Sequence, residues 1–179
     1  MRLTHINNAV SKIMSSNKTF AVETETIRRI NYPVFKNAPQ NLCEMLKRSF
    51  SSHDDGKAEY LVYQNERWSY DAFCADIKKV AWHLQKEFSV KKGTPVAIAM
   101  RNYPEFIILV MAISALGAKV VFLNAWWTTK ELKYALEESS AKLVFADGPR
   151  TNSIEPLVKD LNLQIIAVRD AEAFWPTRF

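Results

Sequence analysis

The sequence contains little glycine. Its 179 residues include four, at positions 56, 93, 117 and 148. No two of them have the spacing of a GxGxxG dinucleotide loop, and no Gly-Lys-Ser/Thr follows a glycine five positions earlier. Both motifs need glycine where the backbone closely approaches a phosphate. The scarcity of glycine therefore excludes the two common nucleotide-phosphate loops.

Cysteine is also scarce, and there is no long apolar run. Cys43 and Cys74 form no CxxC pair and have no histidine at ligand spacing, so we expect neither a disulfide framework nor a metal site. The longest apolar segment, Phe106 to Ala118, is shorter than the roughly 20 residues that span a bilayer. It predicts a buried helix and no membrane span.

Targeting signals are weak. Without an apolar N-terminal segment, secretion is disfavoured, and a reducing compartment, the cytoplasm, is expected. Residues 1 to 22 contain no acid and carry Arg2, Lys12 and Lys18, a composition that keeps a mitochondrial transit peptide as the alternative.

The positive charge is confined to the N-terminal part. The chain has 24 basic and 19 acidic residues, a net charge of +5. The excess lies in residues 1 to 50, where Arg28-Arg29 and Lys47-Arg48 are too sparse for the basic stripe of a nucleic-acid interface. We expect no nucleic-acid partner. With 48% hydrophobic and 24% charged residues, the chain has the composition of one globular domain, or at most two.

The first half of the chain predicts a mixture of short elements. Alternation over 20 to 27 indicates one half-buried strand, followed by Pro33 and Pro39. A short helix is expected over 40 to 50, and a hairpin over 59 to 63 and 67 to 70. Ser69 then caps a helix that runs to about residue 88, with apolar side chains at helical spacing.

From Pro95 onward, short apolar strands alternate with helices. The strands are predicted at 96 to 100, 120 to 123, 143 to 146 and 164 to 168. Pro104 and Gly117 bracket the first intervening helix, and Thr128 with Glu131 forms a capping box for the second. Continuous apolar strands separated by helix-length connections indicate a parallel sheet covered on both faces. The predicted class is therefore α/β: an N-terminal hairpin and helices, then a parallel βα-repeating sheet with Ile98, Val121 and Val144 buried.

Few residues are candidates for chemistry. No histidine lies beside a nucleophile in the sequence, and we assign no catalytic residue and no metal ligand. Arg101-Asn102 and Trp126-Trp127 each follow a predicted parallel strand, where ligands of open α/β sheets bind. We take these four as candidate surface residues. Helix capping is the favoured role for Asn102. The two tryptophans are favoured as packing anchors, with a binding surface as the alternative.

Three segments together resemble a known family. RWSYDAF (67 to 73), KKGTPVAIAMRNYPEF (91 to 106) and ISALGAKVVFLNAWWTTKELKYALEESSAKLVFAD (113 to 147) are similar, in order and spacing, to the N-terminal part of the adenylate-forming, AMP-binding enzymes. The strings LNAWWT and FAVETETIRRINYPVFKNAP (20 to 39) look most like the acyl-CoA synthetase branch, which acts in fatty acid metabolism. The resemblance implies a tail at 1–19 and an incomplete N-terminal AMP-binding domain at 20–179.

The resemblance implies a ligase that uses ATP, Mg and coenzyme A. In such enzymes a carboxylate forms an acyl-adenylate, and the thiol of coenzyme A then displaces AMP. The Ser/Thr/Gly-rich phosphate loop with its lysine, the acyl pocket and the C-terminal domain have no counterpart in these residues. No cofactor is therefore expected on this chain alone, and its cofactor-binding residues stay unassigned.

Two hypotheses remain. In the first, the chain is the N-terminal portion of an acid–CoA ligase, inert alone, whose partner is the rest of the enzyme. In the second, it is a stand-alone module for binding or complementation. The ending FWPTRF favours the first hypothesis, because natural termini tend to be polar. On the first hypothesis, the sheet and the helix over 106 to 116 lack the cover that the rest of the domain provides. We therefore expect the chain to self-associate, or to be soluble only with a complementary fragment, with Trp126-Trp127 near that surface.

Overall fold

The computed structural model describes residues 2–16, 18–51 and 56–169, and the chain divides into two compact units, Met1–Asn41 and Leu42–Phe179. The C-terminal FWPTRF segment lies outside the described residues. In the described part, no helix combines the length and the apolar character needed to cross a membrane.

The unit Met1–Asn41 contains a helix and a hairpin. Helix α1 spans Arg2–Ser16, within the segment expected to be a tail, and a short 3-10 turn follows at Lys18–Phe20. Strands β1 (Val22–Ile27) and β2 (Ile30–Phe35) pair antiparallel, with Val22 opposite Phe35. The strand predicted over 20 to 27 is present as β1, but the expectation that it is half-buried was wrong. Strand β1 is exposed along its length. Pro33 lies within β2 and is tolerated there, because the outer edge of a two-stranded hairpin does not use the backbone N–H that proline lacks.

The unit Leu42–Phe179 begins with the elements predicted for the first half of the chain. Helix α2 spans Leu42–Ser51, and strands β3 (Glu59–Tyr63) and β4 (Glu66–Ser69) form the expected hairpin. Helix α3 spans Tyr70–Lys86, and the Ser69 hydroxyl accepts a hydrogen bond from the Ala72 N–H at 3.2 Å, as a helix cap should. The helix buries one apolar stripe: Phe73, Ile77, Val80 and Leu84.

A four-stranded parallel sheet follows, as the sequence predicted. Its strands are β5 (Pro95–Ala99), β6 (Lys119–Phe122), β7 (Leu143–Asp147) and β8 (Gln164–Val168), in the order β6-β5-β7-β8. All three strand pairs are parallel. The helices between them are α4 (Pro104–Ala115), α5 (Thr129–Ser139), α6 (Gly148–Ile154) and α7 (Val158–Leu161).

The core lies on both faces of the sheet. Ile98 and Phe145 belong to a cluster that includes the apolar sides of α3 and α4. Ala97 and Val144 face a second cluster that includes residues of α5 and of the segments before β8. Ile98 and Val144 are fully buried as predicted, whereas Val121 is only half-buried, because β6 is an edge strand.

Helix α4 begins and ends at its proline and glycine signals. Pro104 is in the first turn, and Gly117 has φ +67° just after the end, a left-handed conformation that suits glycine. The capping role expected for Asn102 was wrong. The cap residue is Tyr103, no side chain caps this helix, and Asn102 lies exposed one position earlier.

Candidate functional site

The carboxyl ends of the parallel strands bring several charged side chains together. Arg101 follows β5, Asp147 is the last residue of β7, and Arg169 follows β8. Strands that run in the same direction end at the same edge of a sheet, which is why residues so distant in sequence meet here. We call Arg101, Trp126, Asp147 and Arg150 the edge cluster.

A buried ion pair lies at the centre of the edge cluster. Asp147 is 2% exposed and Arg150, on the first turn of α6, is 8% exposed. The guanidinium Nη1 of Arg150 lies 3.3 Å from Asp147 Oδ1, and the backbone N–H of Arg101 donates to Asp147 Oδ2 at 3.2 Å. Because an unpaired charge is costly to bury, each partner makes the burial of the other possible.

Arg150 also joins the pair to the segment after β6. Its Nε donates to the carbonyl oxygen of Ala125 at 2.8 Å, and its guanidinium carbon lies 5.0 Å from the centre of the Trp126 ring. Despite this contact with Arg150, Trp126 is 79% exposed. Trp126 is therefore not part of the core. The indole lies over an arginine and turns most of its surface to solvent.

A second network surrounds Arg169 at the same end of the sheet. Its Nη atoms donate to Glu66 at 2.9 and 3.0 Å, and its Nε lies 2.8 Å from Glu105. The rings of Tyr63 and Tyr103 lie 5.0 and 5.2 Å from the guanidinium carbon. Burial lowers the pKa of Arg169, but the hydrogen bonds and charges of the two glutamates outweigh it, so the net pKa is raised. The network connects the β3–β4 hairpin, α4 and the end of β8.

Arg101 lies between the two networks. Its Nη2 donates to the Tyr103 hydroxyl at 2.6 Å, and its Nε lies 3.9 Å from Asp147. The Arg101 side chain is 55% exposed, so it can still offer donors to an anionic group. The other two arginines are committed to carboxylates in the protein.

The four sequence candidates thus separate into different environments. Arg101 and Trp126 both contact Asp147–Arg150, Asn102 is exposed, and Trp127 is 36% exposed. The backbone N–H of Trp127 donates to the Asn124 carbonyl at 3.1 Å, which closes the turn after β6.

Asp147, Arg150 and Arg169 were not among the candidate residues predicted from the sequence. A signal for Asp147 exists, because a carboxylate directly after a buried apolar strand lies at the edge where polar groups converge. No comparable signal marks Arg169, whose partners lie 64 and 103 residues earlier in the chain.

Side chains that commonly bind metals are not clustered in the described residues. Within 2–16, 18–51 and 56–169, no group of three or more histidine, cysteine, aspartate or glutamate side chains could hold a metal ion. The carboxylates at the sheet edge already accept hydrogen bonds from arginines. The site is therefore a paired polar network with one exposed arginine and one exposed indole.

Comparison with known proteins gives a consistent family. Residues 50–176 match the family model described as AMP-binding enzyme. The 2-succinylbenzoate–CoA ligase of Bacillus velezensis is 34% identical over 120 residues, which are 66% of this chain and 25% of the relative. The very long-chain fatty acid transport protein of Cochliobolus heterostrophus is 33% identical over 97 residues, 54% of this chain and 15% of the relative.

Solved structures show the same fold. The N-terminal domain of FACL13 from Mycobacterium tuberculosis superposes with a TM-score of 0.64 at 22% identity, covering 72% of this chain and 33% of that one. The anthranilate CoA ligase AuaEII in complex with anthranoyl-AMP gives a TM-score of 0.66 at 19% identity, with 72% and 25% covered. The chain thus spans a third or less of these proteins.

Proposed function

Because the chain belongs to the AMP-binding enzyme family, we propose that it forms the N-terminal part of an ATP-dependent acid–CoA ligase and catalyses no ligation alone. In the complete reaction, a carboxylate attacks the α-phosphorus of ATP and releases pyrophosphate. The thiol of coenzyme A then displaces AMP from the acyl-adenylate. Both steps need cationic and backbone donors around the phosphates.

The main support is the coverage of the relatives. The family match extends over residues 50–176, yet the Bacillus velezensis ligase is covered over only 25% of its length. This partial coverage supports the proposal that the chain is one portion of a longer catalytic protein. ATP, Mg and coenzyme A belong to the complete enzyme in this proposal, with their ligands outside these residues.

Within that enzyme, this portion has a positioning role. The Asp147–Arg150 pair holds the ends of β5 and β7 and the segment at Ala125 in one arrangement. A rigid sheet edge is a suitable support for catalytic groups supplied by other segments, since small displacements of reacting groups lower rates strongly. Arg101 and Trp126 are the side chains here that reach outward.

The substrate and the compartment are finer proposals. Two relatives are fatty acid transport proteins by name, which supports an acyl substrate and a role in fatty acid metabolism. For the compartment we propose the cytoplasm, with the mitochondrion as the alternative.

A stand-alone binding or complementation module is the second candidate function. The exposed aromatic side chains on and after the edge strand β6 favour it, because Phe122 is 57% exposed and Trp126 is 79% exposed. Such surface commonly takes part in protein contacts.

Two measurements test the proposal. The native transcript should continue in frame beyond Phe179 into a Ser/Thr/Gly-rich loop with a lysine. A stop codon directly after Phe179 would overturn the assignment as a ligase portion and favour the module.

The second measurement is ATP–pyrophosphate exchange by the purified chain, with 2-succinylbenzoate and long-chain fatty acids as substrates. We expect no exchange above background, with the complete Bacillus velezensis ligase as positive control. Exchange that follows the chain through successive chromatography steps would refute the claim that it is inert alone.

A further inference from the structure

Helix α1 has an uncovered apolar face. Ile6, Val10 and Ile13 follow the spacing i, i+4, i+7, which places them on one side of a helix. They are 58%, 47% and 53% exposed. Asn8 and Ser11 lie on the opposite side and are also exposed. The helix is thus amphipathic, and its apolar stripe faces solvent.

The charge around this face is of one sign. Residues 1 to 22 contain no acidic side chain, and Lys12 and Lys18 are exposed. Over residues 1–41 there are six basic and two acidic groups, so this unit carries +4 of the chain's net charge of +5.

The hairpin of the same unit adds a basic turn. Arg28 and Arg29 connect β1 to β2 with φ of 51° and 68°, a left-handed conformation that non-glycine residues adopt at a cost. Ile27 and Ile30 on either side are 43% and 56% exposed. The turn therefore combines two cations with exposed apolar side chains.

We propose that the unit Met1–Asn41 binds an anionic lipid surface, with α1 parallel to the membrane and Ile6, Val10 and Ile13 among the headgroups. This goes beyond the proposed ligase function. A short amphipathic helix with cations and apolar side chains has the composition of an interfacial helix. The lipid is favoured over a protein groove because cations accompany both exposed apolar regions, Lys12 on α1 and Arg28-Arg29 at the hairpin turn, and a continuous anionic surface complements both.

The test uses the full chain and sedimentation with vesicles of phosphatidylcholine, with and without phosphatidylglycerol. We expect at least about tenfold stronger binding to the anionic vesicles, weakened by salt. Replacing two apolar side chains, Ile6→Gln with Val10→Gln, should lower the affinity by roughly a hundredfold. The matched control, Asn8→Gln with Ser11→Gln, should bind like the parent.

Further measurements separate folding from binding. Far-UV circular dichroism and thermal unfolding show whether each variant keeps its fold. Lys12→Gln with Lys18→Gln should weaken binding to anionic vesicles by about tenfold and leave binding to neutral vesicles unchanged. Equal binding to neutral vesicles, or equal binding by the apolar-face variant and its control, would overturn the proposal. A fall in the sedimenting mass of the apolar-face variant without vesicles would overturn it too, because a second copy would then be the occupant.

Discussion

Replacing Arg150 with methionine should destabilise the unit Leu42–Phe179 strongly. Methionine fills a similar volume but donates no hydrogen bond, so Arg150→Met leaves the 2%-exposed carboxylate of Asp147 with the Arg101 backbone N–H at 3.2 Å and the distant Arg101 side chain. Removing one partner of a buried pair costs about 3 to 5 kcal/mol. The guanidinium contacts are long, at 3.3 and 3.5 Å, so we take the lower value, about 3 kcal/mol.

Thermal unfolding followed by circular dichroism measures this cost. Unfolding entropy is about 2.1 cal/mol/K per residue, which gives about 0.3 kcal/mol/K for this unit. A loss of about 3 kcal/mol divided by this entropy lowers the midpoint temperature of unfolding by about 10 °C. The variant Asp147→Asn has no buried charge. In that background, Arg150→Met should lower the free energy of unfolding by at least about 1.5 kcal/mol less than it does in the parent. Losses that add to within about 0.5 kcal/mol would show that the two side chains are not coupled, and the reasoning would fail.

Three further predictions concern other parts of the same unit. Burial raises the pKa of Asp76, and the hydrogen bond from Trp68 and the charge of Lys79 lower it by less. At pH values above this raised pKa the buried carboxyl is ionised, and its ionisation makes the folded state less stable. Asp76→Asn should therefore be at least as stable as the parent at neutral pH in thermal unfolding, and lose that advantage in acid as Asp76 takes up its proton. Gly117→Ala should lower the free energy of unfolding by about 1 to 2 kcal/mol, because φ is +67° there, and Gly117→Asn should lose less in the same denaturant titration. The purified chain should self-associate in light scattering at micromolar concentration, and Phe122→Ser with Trp126→Ser should reduce the mass. An unchanged mass would place the contact elsewhere.

The parallel sheet could be predicted because its signals are local. Each strand is a short apolar run, and the helices between them begin and end at residues with known preferences, such as Pro104, Gly117 and Thr128. Thr128 and Glu131 form the expected reciprocal hydrogen bonds. The strand ends differ from the prediction by one residue at most, and strand β8 is at the predicted position.

The candidate site could be predicted only in part, because its contacts are not local. Arg150 binds the carbonyl of Ala125, 25 residues earlier, and no periodicity indicates that contact. The turn between β1 and β2 was missed for a different reason. Two-residue hairpin turns usually contain glycine or asparagine, whereas Arg28 and Arg29 occupy this one.

The strand order β6-β5-β7-β8 affects how the chain folds during synthesis. Strand β5 pairs with β6 on one side and with β7 on the other, so its second edge stays open until residues 100–147 have been added. At about 5–20 residues per second, that takes roughly 2 to 10 s. During this interval the side chains of Val96, Ile98 and Ala99, which end fully buried, belong to a strand with at least one unpaired edge. Chaperones that bind extended apolar segments therefore have several seconds to engage β5 before β7 completes the sheet.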